Sequence, residues 1–105
     1  LTEIQNECLQ ACNDCAAACF ECASACLNES DPKAMTRCIS LDMECADLCQ
    51  LAAASIARGG EHMKEILLSV PSFVMPAVAS VHPMTWNIVN VAPRPVRVVL
   101  KLATE

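Results

Sequence analysis

With 105 residues, a net charge of −5, 3% aromatic residues and no tyrosine, the chain has the size of one small domain. It lacks the basic patch and stacking rings of a nucleic-acid-binding surface. No run approaches the roughly 18 apolar residues that span a bilayer, and no charged stretch followed by an apolar one marks a secretory signal, so no membrane partner is expected. The acidic balance suggests a soluble protein, and the cytoplasm is the expected location. The chain begins at Leu1 rather than methionine, which leaves an upstream segment open.

In chain order, Thr2 and Glu3 supply an N-cap and a first-turn acid. Nothing breaks a helix from there to Leu27, and Ala11, Ala16, Ala17, Ala18, Ala23 and Ala25 favour one. A helix over about residues 2–28 is about 40 Å long. Along it cysteine stands at 8, 12, 15, 19, 22 and 26, in steps of four, three, four, three and four. This is a heptad rhythm, so the six side chains share one stripe that leucine fills in most bundles.

Asn28, Glu29, Ser30, Asp31 and Pro32 form a turn, with Asp31 placed to cap the next helix and Pro32 at its first position. A second helix over about 32–58 stops at Gly59 and Gly60. Its buried stripe runs through Met35, Cys38, Leu41 or Asp42, Cys45, Cys49, Ala52 and Ile56. The short linker requires an antiparallel hairpin with the cysteine faces together. The fold class is therefore all-α: a helical hairpin, half of a four-helix bundle, over residues 1–66.

Residues 67–105 form a tail of different composition. Glu61 to Ile66 still reads as a helix start, but beyond it cysteine disappears and valine appears at 70, 74, 78, 81, 89, 91, 96, 98 and 99. Pro71, Pro76, Pro83, Pro93 and Pro95 argue against a long helix, and Arg94 to Leu102 alternates like a short strand. Reverse translation suggests another origin. Valine (GTN) or alanine (GCN) after a codon ending in T reads as cysteine (TGT or TGC) when the frame moves by one base. The overlaps Ser69/Val70, Phe73/Val74, Pro76/Ala77 and Ser80/Val81 then permit cysteine at the same three-and-four spacing, as do Ile88/Val89, Val91/Ala92, Pro95/Val96, Val98/Val99 and Leu102/Ala103. Returning one base to a cysteine codon at the position now read as Leu67 opens this frame. The tail is thus read as a frameshift of two further cysteine-lined helices.

Nine cysteines in so short a chain indicate a disulfide scaffold or a metal protein. The odd count and the continuous helical stripe disfavour a disulfide framework and favour free thiols. Thiolate is a soft donor that selects Cu(I), Zn(II) or iron–sulfur centres. Zinc knuckles and ferredoxin sites hold cysteines on tight turns, whereas here they lie inside helices. Thiols four residues apart on a helix are neighbours, and monovalent copper accepts low coordination. The expected ligands are the pairs Cys8/Cys12, Cys15/Cys19, Cys22/Cys26 and Cys45/Cys49, with Cys38 facing the partner helix. Pairwise sites would hold roughly four Cu(I) ions, with more if sulfurs are shared.

The run C-L-Q-A-C-N-D-C-A-A-A-C-F-E-C-A-S-A-C-L, the Asp31-Pro32 turn and C-I-S-L-D-M-E-C-A-D-L-C-Q-L-A-A-A resemble the cysteine-rich four-helix-bundle copper-binding proteins, the copper storage proteins. The resemblance covers residues 1–66. It implies a bundle interior binding many Cu(I) ions, often in a homotetramer, for storage or detoxification rather than catalysis. The chain departs from that pattern after Ile66, where two more cysteine-lined helices are expected.

A thiol redox protein would need one distinguished thiol and a resolving partner, and these cysteines are alike; it remains an alternative, as does a helical module for zinc or another soft metal. Met35, Met43 and Met63 read as filler, and His62 as a solvated histidine; His82 lies in the tail. Asp42, on or beside the stripe, is expected to serve a cap or an inter-helix hydrogen bond. With two cysteine helices, the chain is expected to form a homo-oligomer, a dimer or tetramer, that hides its cysteine faces.

Overall fold

The computed structural model describes residues 1–79 and 95–99. Helix α1 spans Glu3–Leu27, a 3-10 turn Pro32–Met35, α2 Thr36–Arg58 and α3 Met63–Ala79. There is no strand among the described residues. The expected all-α hairpin is present, with α1 and α3 each packed on α2.

Local chemistry sets the helix ends. Thr2 Oγ1 accepts from the Gln5 amide at 3.1 Å while Gln5 Oε1 accepts from the Thr2 amide at 3.0 Å, a closed capping box. The α1 C-terminus ends on Asn28, whose side-chain amide donates to the Ser24 carbonyl at 3.1 Å. Asp31 makes no side-chain cap bond, contrary to expectation. The chain after it winds as a 3-10 turn, in which the Asp31 carbonyl accepts from the Ala34 amide at 3.2 Å and the Thr36 hydroxyl donates to the Lys33 carbonyl at 2.8 Å. At the far end Gly59 is left-handed (φ 62°, ψ 46°). Its amide donates to Ile56 and the Gly60 amide to Ser55, at 3.2 and 2.8 Å. These paired bonds form a Schellman stop.

Helix α3 corrects the expectation that proline keeps residues beyond Ile66 from a long helix. It contains Pro71 and Pro76 and runs unbroken through the change in composition. Leu67, Val70, Val74 and Ala77 recur in steps of three, four and three and are all buried. An interior proline costs about 3 kcal/mol, whereas burying a Val or Leu side chain stabilises by roughly 1.5–3 kcal/mol. Leu67, Val70 and Val74 together can therefore offset two prolines, whose rings lie on partly exposed positions.

Residues 95–99 are helical rather than extended. Pro95, Val98 and Val99 are buried, a spacing that falls on one side of a helical turn and not of a strand. Arg94, His82 and residues 100–102 lie outside the described residues.

The core has two zones. Between α1 and α2 it is sulfur and alanine: the nine cysteines with Ala11, Ala16, Ala46, Ala52 and Ala53. On the α3 side it is branched: Ile56, Leu67, Val70, Val74, Val98 and Val99. The cysteines are 0–7% exposed within one chain, so the expectation that a second copy is needed to hide them is corrected.

Gly59→Ala is expected to lower the stability of the reduced, metal-free protein by about 1 kcal/mol, because an alanine Cβ is strained at this left-handed position. A lower urea midpoint with an unchanged slope is the expected readout.

Candidate metal centre

The two helices present one rhythm to each other. On α1 the stripe is Cys8, Cys12, Cys15, Cys19, Cys22 and Cys26, and on α2 it is Cys38, Asp42, Cys45 and Cys49, all buried. Between Leu41 and Asp42, the sequence alternatives for this stripe, burial selects Asp42: its side chain is 0% exposed while Leu41 is partly buried. All nine thiols are free.

The thiols gather across the helices rather than as separate pairs along each one. The sulfurs of Cys15, Cys19 and Cys45 lie within 4.8 Å of one another, as do those of Cys22, Cys26 and Cys38. Cys15 Sγ is 4.0 Å from Cys45 Sγ, and Cys38 Sγ is 4.0 Å from Cys22 Sγ and 3.8 Å from Cys26 Sγ. Cys49 lies near Cys12, Cys15 and Cys45, and Cys12 lies near Cys8. Six thiols thus form one connected row, and Cys22, Cys26 and Cys38 form a second group at the loop end of the hairpin. The expected intrahelical pairs become arms of these cross-helix groups.

Proton affinities follow the contacts. Cys12 is drawn down to about 4 by S–H donation from Cys49 and Cys8. Cys45 is held well below the usual thiol range by donation from Cys15, Cys19 and Cys49. The donors pay the complementary cost: Cys8, Cys19 and Cys49 are pushed far up, first by the hydrogen bonds they give and then by burial. Cys26 rises to about 11, through burial and then its bond to Cys38. Negative charge is therefore focused on Cys12 and Cys45, each surrounded by soft donors.

Asp42 is the polar member of the second group. Its Oδ2 accepts from the Cys38 thiol at 3.7 Å and its Oδ1 has no partner among the described residues. It also bonds to Cys22 on the facing helix, so the expected inter-helix hydrogen bond is present, and it serves no helix cap. Burial raises its pKa, and the thiol donors Cys22 and Cys38 partly offset that rise. Met43 is exposed, while Met35 and Met63 pack at the edge of the core. His62 is exposed and pairs with Glu65 at 3.1 Å, away from the thiols. What sequence reasoning left out is the joining of Asp42 to the thiols, whose signal was its four-residue step from Cys38 and three-residue step to Cys45.

Buried groups of three sulfurs suit the holding of a soft ion. The model of the family described as copper storage protein matches residues 2–80, most of the chain. The chain belongs to the copper storage protein family. That is a family of binding proteins rather than enzymes. The chain is also similar to the uncharacterised cysteine-rich protein YhjQ of Bacillus subtilis strain 168, with 41% identity over 66 residues, covering 63% of this chain and 61% of that protein. It therefore spans about three fifths of the length of this curated relative. No solved structure matches. No helix among the described residues is long and apolar enough to cross a membrane.

Asp42→Asn tests the cost of the buried acid in the reduced, metal-free protein. The folded pKa lies above the unfolded value of 3.8, so the acid's favourable contribution is complete below about 3.8 and is lost as pH rises through the folded value. The amide variant stays neutral. It is expected to be more stable than the parent at pH 7, with the difference closing in acid, as read from urea midpoints across pH.

Proposed function

We propose that this chain binds and stores Cu(I), with Cys8, Cys12, Cys15, Cys19, Cys22, Cys26, Cys38, Cys45 and Cys49 as thiolate ligands. The observation that carries the reading is the burial of nine free thiols in contact across a helical hairpin. Membership of the copper storage family supports copper as the ion. Each metal bond replaces an S–H, so loading releases protons. Storage or detoxification in a reducing cytoplasm fits buried, free thiols. A redox role fits less well, because it requires a thiol accessible to its substrate. The protein acts as a homo-oligomer, a dimer or tetramer, a reading supported by exposed Phe20, Leu51, Leu68 and Phe73.

Anaerobic titration of the reduced protein with Cu(I) against a chromophoric chelator is expected to give several tight equivalents, roughly four if each ion takes two thiolates. Far-UV circular dichroism should change little. A stoichiometry of zero or one overturns storage.

We further propose that residues from about 67 onward are the out-of-frame remnant of two more cysteine-lined helices. The buried stripe of α3 supports this reading. Val70, Val74 and Ala77 are positions at which the shifted frame permits cysteine, and buried Leu67 is where the restored base would place one. The coding DNA decides the matter: restoring one base near codon 67 should open a cysteine-rich frame, and a frame without cysteine at these positions ends the idea.

A further inference from the structure

The loop end of the hairpin differs in kind from the rest of the thiol row. Cys22 and Cys26 stand four residues apart on α1, Cys38 and Asp42 four apart on α2, and the two pairs face each other. The three sulfurs are mutually close, and Asp42 joins them through Cys38 and Cys22. At the equivalent level further along, Cys15 and Cys19 meet Cys45, and Cys49 also lies near Cys15 and Cys45. There the set is all sulfur. At the loop end an oxygen stands where the heptad rhythm would place a fourth thiol.

We propose that Cys22, Cys26, Cys38 and Asp42 form a site for a tetrahedral divalent ion of borderline softness, Zn(II) being the fitting one. The spacing supports it. A tetrahedral zinc with Zn–S bonds of about 2.3 Å and a Zn–O bond of about 2.0 Å requires edges of about 3.8 Å between sulfurs and about 3.5 Å between sulfur and oxygen. The observed Sγ separations from Cys38 are 3.8 and 4.0 Å, and its separation from Asp42 Oδ2 is 3.7 Å. The three edges that meet at Cys38 are therefore close to those of a tetrahedral site.

Two further observations concern the carboxylate. It is 0% exposed, and its Oδ1 has no partner among the described residues, an arrangement that is costly unless another group satisfies it. A cation held by the three sulfurs would neutralise the buried acid. Carboxylate oxygen is a hard donor, ill matched to Cu(I) and well matched to Zn(II), which takes sulfur and oxygen together. Asp42 thus adds, to three thiols that also serve Cu(I), a fourth donor suited to Zn(II). The ion has a route in, because Cys26 lies in the last turn of α1, Cys38 in the first turn of α2, and Cys38, at 7%, is the most exposed of the nine thiols.

The proposal does not depend on copper storage, and its test contains no copper. The reduced full chain is titrated anaerobically with Zn(II) against a chromophoric competitor, and with Co(II) as a spectroscopic probe. The expected result is one tight Zn(II) equivalent, and one Co(II) with tetrahedral ligand-field bands and sulfur-to-cobalt charge transfer. Asp42→Ala should weaken Zn(II) binding more than tenfold. Asp42→Cys should retain one equivalent while the Co(II) spectrum moves to that of an all-sulfur site. Absence of tight Zn(II) binding overturns the proposal, as does Asp42→Ala binding with parental affinity. If Asp42→Ala does not fold, as judged by circular dichroism, Asp42→Cys decides: an unchanged Co(II) spectrum excludes Asp42 from the coordination sphere. A chain that binds Zn(II) once and no Cu(I) defeats storage alone; one that binds several Cu(I) and no Zn(II) defeats this site alone.

Discussion

Contact between sulfurs across α1 and α2 is the constraint on which the rest of the molecule depends. A thiol is much smaller than leucine, so a stripe of thiols must draw two helices close to exclude voids, and protein interiors tolerate few of those. Alanine makes the approach possible. Ala11, Ala16, Ala46, Ala52 and Ala53 lie among the cysteines and are buried with them. The same substitution of cysteine for leucine limits the apolar area this half of the core removes from water, and so limits its stability without metal.

The branched half of the core offsets that weakness. Ile56 reaches from α2 toward Leu67, Val70 and Val74, with Val98 and Val99 completing the cluster. Burial there is strong enough to hold α3 helical through Pro71 and Pro76. Its stripe has the three-and-four rhythm of the thiol stripes, so three helices are written in one register with two chemistries. Where the side chains are sulfur the interior can exchange protons for metal, and where they are valine it can only pack. Metal that binds the folded chain alone would add its binding free energy to stability.

Within the thiol half, charge is unevenly placed. Cys12 and Cys45 are surrounded by S–H donors, whereas Asp42 sits where burial opposes ionisation. A buried carboxylate among thiols contributes little to stability on its own, since desolvation outweighs two weak sulfur hydrogen bonds. The proposed zinc site gives its presence at a stripe position a role.

The sequence by itself determined whatever depends on near neighbours along the chain. The cysteine heptads fixed which face of α1 is buried, Thr2 fixed its start, and Gly59 and Gly60 fixed the end of α2, since each signal acts within about one helical turn. Tertiary structure decided the rest. Whether Leu41 or Asp42 entered the core, and which thiols met which, follow from how α2 is rotated and shifted against α1, and no local pattern encodes that. The helix through Pro71 and Pro76, and the helical turn at 95–99, likewise went against local propensity. Burial against α2 and the surrounding core outweighed the proline penalty and the apparent alternation, and burial is a property of neighbours distant in the chain.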